Sequence, residues 1–455
     1  DRPPRALADA GQMLAALGGP TPQSGAAPEA VIEELVRLAD PGLCAPSGER
    51  FFGWVIGGSH PAGVAADILT SAWGQNSGLV VATPAAAVAE TVAGAWMLDM
   101  MRLPAGCTVG FVTGATMANF TALAAARHRV LAKTGWDVET EGLNGAPKVR
   151  IFIGEAAHAT VFSALRYLGF GRALTLIAAD TQGRMDSVAL RKALRASRGP
   201  AIVIGQAGQI NTGAFDPAAE LADASAEAGA WFHVDGAFGL WARAVPRLDA
   251  LTEGLDRADS WAVDGHKWLQ LPYDSGFAIV RDREAHCAAM GLAASYLTPA
   301  HGEVLDPMLL VPELSRRARG FAAWTVLKVF GREGVVELVD RHCRLAAELA
   351  RRLAAMDGVE VINEVVLNQV IVGFGDGPGE RRDRLTRAVI DQLQADGECL
   401  AGGAAWNGRW VLRLSLISYG LQVADIDRLV NAIGRAWTMV RQAEERRPAP
   451  EILSQ

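Results

Sequence analysis

The stretch Asp259-Ser-Trp-Ala-Val-Asp264-Gly-His266-Lys267-Trp268 decides how the rest of the chain is read. Trp261 to Val263 form a short apolar run that predicts a strand, and Lys267 follows it at the edge where α/β sheets collect their ligands. Desolvation at such an edge lowers a lysine's pKa and leaves neutral amine able to attack an aldehyde. His266 beside it is suited to donate to a phosphate. A lysine that snorkels past Trp268 into solvent fits the same residues. The chain has only five lysines (Lys133, Lys148, Lys192, Lys267 and Lys328), so one in an apolar setting stands out.

Outward from this stretch, short apolar runs alternate with helical patterns. The runs are Thr108 to Val112, Val149 to Ile153, Leu174 to Ala178, Ala201 to Ile204, Trp231 to Val234 and Phe277 to Val280. Between them lie amphipathic segments such as Ser187 to Ala196 and Pro217 to Ala228, the second with Asp216 as its expected N-cap and Pro217 as its first helical residue. This alternation implies a mostly parallel central sheet covered by helices. From about Val326 a long helix, broken near Gly331 to Gly334, leads to strands at Val359 to Ile362, Asn368 to Val372 and Trp410 to Leu416, then to a final helix from about Asp425. The expected organisation is an N-terminal helical arm over 1–85, a large α/β domain over 86–325 and a smaller α+β domain over 326–455.

Three further strand ends carry chemistry. In Trp231-Phe-His-Val-Asp235-Gly-Ala237 an acid closes an apolar strand, and burying it is costly unless a cation or donors await it. A protonated pyridine nitrogen is such a cation, and the small Gly236 and Ala237 leave room for a flat ring; a metal ligand or helix N-cap is the other reading of Asp235. In Phe111-Val-Thr-Gly114-Ala115-Thr116 a strand turns into the helical pattern Asn119 to Leu131, exposing backbone N–H groups and the Thr116 hydroxyl to an anion, although ordinary turn chemistry looks alike. His158 follows the strand Val149 to Ile153, where an imidazole is able to stack on a ring; most lone histidines are simply polar surface residues. Together the four supply phosphate, ring-face, ring-nitrogen and aldehyde contacts, the set that pyridoxal 5′-phosphate (PLP) requires.

The remaining composition excludes alternatives. A net charge of −7, without long same-sign blocks, gives no basic groove for nucleic acid or anionic membrane, and no apolar run is long enough for a span. Five scattered cysteines without CxxC spacing argue against disulfides and a zinc site, so no metal is expected. The Asp1 start shows no signal-peptide pattern. These features lead to the expectation of a soluble, cytoplasmic protein acting on a small molecule.

The residues resemble the group II PLP-dependent amino-acid decarboxylases, the aromatic-L-amino-acid and glutamate decarboxylase family. Phe51-Phe-Gly-Trp54, Ala82-Thr-Pro-Ala-Ala86 with Glu90, Gly213-Ala-Phe-Asp216, His233-Val-Asp235, Ala258-Asp-Ser260 with His266-Lys267-Trp268, and Ser315-Arg-Arg-Ala-Arg319 follow the family's order along nearly the whole chain. The resemblance implies an aspartate-aminotransferase-like, PLP-dependent transferase fold and a homodimer with active sites at the subunit interface. It makes Lys267 the Schiff-base lysine, Asp235 the ring-nitrogen partner and His158 the stacking histidine. Ala115, Thr116 and His266 become phosphate contacts, and Ala237 the support for the other ring face. Trp54, Val55 and Leu79 of the partner subunit fall near the side-chain pocket and favour an aromatic or apolar amino acid.

Departures qualify this picture. The family often has asparagine where this chain has Asp264, and a threonine pair is replaced by Gln209-Ile210. The family's mobile loop carries a tyrosine that protonates the carbanion, whereas residues Leu297 to Leu314 hold none, only His301. The expected reaction is therefore α-decarboxylation of an L-amino acid. Oxidative deamination to an aldehyde, another carbon–carbon lyase outcome, or a silent scaffold remain as alternatives. Arg413 is read as a salt-bridge partner rather than a carboxylate site.

Overall fold

A computed structural model describes residues 2–172, 174–292 and 304–446. The apolar runs form a seven-stranded sheet: β1 (Thr108–Val112), β2 (Arg150–Gly154), β3 (Thr175–Ile177), β4 (Ala201–Gln206), β5 (Trp231–Asp235), β6 (Ser260–Asp264) and β7 (Gly276–Val280). Their spatial order is β1-β7-β6-β5-β4-β2-β3, and β7 alone runs against the others. Every residue of β4, β5, β6 and β7 is buried, as expected for strands covered on both faces, which is why they read as continuous apolar runs. Because β1, β2, β5 and β6 are co-directional, their carboxyl ends share one edge of the sheet.

Close packing at that edge depends on particular glycines. A Cβ at Gly276 would lie 2.4 Å from the Gly114 Cα, so β7 runs directly beneath the turn after β1. A Cβ at Gly57 would lie 1.9 Å from the Lys267 carbonyl oxygen, so the segment around Gly57 lies directly on the lysine turn. The same N-terminal region is stitched to the C-terminal part of the chain: Phe52 N–H donates to the Leu400 carbonyl at 2.7 Å, and Ser415 N–H donates to the Phe52 carbonyl at 3.0 Å.

The C-terminal region forms a four-stranded antiparallel sheet, β10-β11-β9-β8, from β8 (Val359–Val361), β9 (Gln369–Phe374), β10 (Gly402–Trp406) and β11 (Arg409–Ser415). The long helix spans Gly320–Ala354, beginning before the expected Val326, and departs from helical geometry at Gly331 (φ 59°). Asp216 is not the N-cap expected for the helix Ala218–Ala228, which Pro217 precedes without a side-chain cap bond. Its buried carboxylate instead accepts from Met185 N–H and Gln206 N–H, each at 2.7 Å, and so ties β4 to a distant turn. Two of the sequence landmarks meet as a buried pair: Arg316 holds both Glu90 oxygens at 2.7 Å, and the Ser77 hydroxyl donates to one of them.

Buried titratable groups set the acid response. Burial pushes His233, His286 and His342 down to about 3, 4 and 3, and pushes the Asp216 carboxyl up to about 7. Below about pH 5.5 the unfolded chain protonates the three histidines while the native state does not. Asp216 has the opposite sign, since the native state holds a proton that the unfolded chain has released. Unfolding from these four groups thus takes up a net two protons. These four groups alone are expected to lower stability by about 3 kcal/mol per pH unit as pH drops from about 5.5 to 4.5. Denaturant titrations across that range check this; a flat profile contradicts it.

Candidate active site

The four strand ends converge on one cavity of about 360 Å³. Thr113 to Thr116 enter it from the turn after β1, His158 and Thr160 from that after β2, Gln206, Gly208 and Ile210 from β4 onward, and Asp235, Ala237 and Phe238 from β5. Asp264, His266, Lys267 and Tyr273 come from the connection between β6 and β7, and Val55 from the N-terminal region. A larger groove of about 690 Å³ beside the C-terminal helix Val423–Glu445 holds none of these groups.

Asp235 is 5 % exposed, and one of its oxygens accepts from Ala237 N–H at 3.2 Å. Burial raises its pKa, against the pull of the His158 and Lys267 charges. A carboxylate so placed lacks a bonded cation among the described residues, which is the condition a protonated ring nitrogen relieves. Lys267 lies nearby, its Nζ 2.7 Å from Asp264 Oδ2.

His158 caps the helix Ala159–Tyr167: Thr160 N–H reaches its Nδ1 at 3.4 Å and the Thr160 hydroxyl at 2.8 Å. That makes Nδ1 the acceptor and leaves the proton on Nε2. Burial depresses its pKa; the Asp235 and Asp264 charges oppose this, and the Lys267 and Arg413 charges add to it. His266 is fixed similarly, with Nδ1 accepting from Ser275 N–H at 3.3 Å, and its ring stacks on Tyr273 at 4.2 Å. Burial lowers the His266 pKa, whereas burial and the Asp264 charge push the Tyr273 phenol up to about 12. Ala115 and Thr116 open the helix Ala115–Ala132, whose N-terminal N–H groups and partial positive charge suit an anion.

The residues present fit PLP: an amine, a buried carboxylate without a bonded cation among the described residues, and helix-terminal N–H groups line one cavity. Among the described residues no His/Cys/Asp/Glu cluster suits a metal, and all five cysteines are free thiols. The conserved domain of pyridoxal-dependent decarboxylases matches residues 11–374. The chain belongs to the pyridoxal-dependent decarboxylase family. It is a PLP-dependent amino-acid decarboxylase. It is 29 % identical over 411 residues to an aromatic-L-amino-acid decarboxylase of Bacillus atrophaeus, covering 87 % of this chain and 83 % of the relative. It is 24 % identical over 460 residues to a 4-hydroxyphenylacetaldehyde synthase of Rhodiola rosea, covering 98 % and 91 %. The crystal structure of Oryza sativa TDC with PLP and tryptamine superposes with a TM-score of 0.89, at 24 % identity, over 96 % of this chain and 93 % of that one.

Within this decarboxylase the expected residues do not all reach the cavity. Val55 lines it, whereas Trp54, turned by a positive φ of 49°, is 58 % exposed and stacks on Phe51. Leu79 is half-buried and lies outside the cavity of its own chain. Ile210 lines the cavity; Gln209 instead closes its own turn, accepting from Asn211 N–H and Thr212 N–H. His301 lies outside the described residues. Arg413 corrects the salt-bridge expectation: it is 8 % exposed, donates to Asn211 Oδ1 at 3.1 Å and has no ion-pair partner among the described residues.

Two contributors escaped the sequence reading. Tyr273 walls the cavity, though nothing local distinguishes it from the other tyrosines. Gln270, at φ 60°, donates to the carbonyls of Lys267, Trp268 and Ile417 and accepts from Gly58 N–H and Tyr419 N–H. It thereby pins the lysine turn to both ends of the chain, a role defined wholly by tertiary contacts.

Proposed function

We propose that this enzyme removes the α-carboxylate of an aromatic or apolar L-amino acid as CO2 and releases the amine. The observation that carries the reading is the convergence of the Lys267 amine and the Asp235 carboxylate on one cavity. Lys267 would hold the cofactor's aldehyde carbon, Asp235 its ring nitrogen, His158 and Ala237 its faces, and Ala115, Thr116 and His266 its phosphate. When bound, PLP supplies a pyridinium that accepts the electron pair left by CO2. Asp235 keeps a proton on that nitrogen through its charge, and His158 presents Nε2–H to the substrate side. Val55, Ile210 and Phe238 give the cavity apolar walls, which favour a side chain without charge.

A second reading, aldehyde formation with consumption of oxygen and release of peroxide and ammonia, is favoured by the missing loop tyrosine and by the likeness to an aldehyde synthase. The PLP-loaded enzyme, screened against the twenty amino acids by mass spectrometry, is expected to yield CO2 and amine in equal amounts. Aldehyde with stoichiometric peroxide would replace the first reading by the second.

We also propose the homodimer. The helix Pro28–Ala39 buries none of its residues in this chain, and Val31, Ile32, Leu35 and Val36 form an apolar stripe at 46–64 % exposure. Ile68, Leu69 and Trp73 on the helix Pro61–Trp73 add to the exposed apolar surface. Such surfaces are covered in subunit interfaces. Light scattering is expected to give twice the chain mass, and Ile32→Asp with Val36→Asp to give the monomer; a monomeric unsubstituted enzyme overturns the assignment.

A further inference from the structure

Asp264 ends β6 with 2 % of its surface exposed, and its two oxygens are fully engaged. Oδ1 accepts from Ala115 N–H at 2.5 Å, at the first turn of an 18-residue helix, with His266 Nε2 3.5 Å away. Oδ2 holds the Lys267 ammonium at 2.7 Å. Gly114 completes the arrangement, because a Cβ there would sit 3.2 Å from Asp264 Oδ1 and 3.0 Å from the His266 ring. The carboxylate thus engages the helix-terminal N–H and the amine that the cofactor itself needs.

We propose that Asp264 is an intramolecular competitor of the cofactor's phosphate, holding the Ala115 N–H and the Lys267 amine until a phosphate ester displaces it. The inference rests on the reading that Ala115, Thr116 and His266 form the phosphate cup. Two anions cannot share one N–H donor, and at contact distance in a partly desolvated site they repel strongly. Capture of the phosphate therefore requires Asp264 to leave the helix terminus, and the same movement frees Lys267 from its ion pair. Asparagine, which the family often carries at this position, has nearly the same shape but no charge.

The test is equilibrium binding to the enzyme stripped of cofactor, for PLP by visible absorbance and for inorganic phosphate by calorimetry. Asp264→Asn is expected to bind both about 10- to 100-fold more tightly, the effect of removing one like charge beside a bound anion. Pyridoxal, which lacks the phosphate, should gain less than PLP, through the freed Lys267 amine alone. Asp264→Ser, smaller and also uncharged, should shift in the same direction and guards against a local fault in the asparagine variant. Thr116→Val reports on the cup itself and should weaken both ligands. If Thr116→Val weakens phosphate while the Asp264 variants bind it no better, the cup stands and the competitor is refuted. An equal gain for pyridoxal also refutes it, since the effect would then run through Lys267 alone. If Thr116→Val leaves phosphate binding unchanged, the cup fails and the competitor with it.

Discussion

Lys267→Ala is expected to abolish the visible absorbance of the purified enzyme and to reduce turnover by at least about 10⁴-fold, the scale on which loss of a covalent catalytic group is felt. The specificity of this expectation comes from the other lysines. Lys133, Lys148, Lys192 and Lys328 are all exposed and absent from the cavity, and Lys328 lies over the rings of Trp96 and Trp324 instead. Lys328→Ala should therefore leave the spectrum unchanged. Removing Lys267 also strips Asp264 of its ion-pair partner, so loss of absorbance alone does not distinguish a lost covalent bond from local distortion. Lys267→Arg separates the two effects, because a guanidinium can pair with Asp264 yet stays protonated and cannot condense with an aldehyde. A colourless, folded arginine variant supports the covalent role. A variant at either substitution that kept the cofactor's absorbance would remove Lys267 from it.

How much of this was legible in the sequence depends on how local the determinant was. β4, β5, β6 and β7 read directly because burial on both faces makes a strand a continuous apolar run. β10 did not, since Gly402-Gly-Ala-Ala405 has neither alternation nor β-branched residues; its signal lay in the turn, Asn407-Gly408, where both residues take positive φ and join β10 to β11. The helix Gly379–Asp396 buries Leu385, Val389, Ile390 and Leu393, but that stripe is diluted by arginines. Asp216-Pro217 shows the limit of a dipeptide rule: the pair suits a helix start, yet two backbone N–H groups from other elements claim the carboxylate.

The site divides in the same way. Lys267, Asp235, His158 and the Gly114-Ala115-Thr116 turn share one cavity because each lies at, or within four residues of, the carboxyl end of a strand, so strand direction brings them to one edge. Arg413 was misjudged because a sequence does not show whether an arginine in a strand finds a carboxylate. Here Asn211 meets it, and its charge persists near His158. Trp54 was placed by family position; in this chain its indole is 58 % exposed and stacks on Phe51. Asp264 was visible only as a departure; its meaning came from two distances, to a backbone amide and to an amine.

Asp235→Asn is expected to reduce turnover by about 10²- to 10³-fold, the range for removing one preorganised electrostatic partner of a developing charge. The amide still accepts from Ala237 N–H, so local geometry should survive, and Lys267 should still bind the cofactor with visible absorbance. What disappears is the anion that favours a proton on the ring nitrogen. The stability of the variant supplies an independent check. Burial raises the pKa of Asp235, which means the folded chain is penalised for holding this carboxylate ionised. An uncharged amide removes that penalty, so without cofactor the variant should melt no lower than the parent enzyme. With PLP bound, the parent should regain the advantage, because the ring cation then offsets the buried anion and binding to the native state alone stabilises it. Thermal melts of both proteins with and without PLP, beside initial rates, read the two effects. If Asp235→Asn matched the parent in turnover and in its response to PLP, the carboxylate would have no role at the ring nitrogen, and its burial at the end of β5 would need another cause.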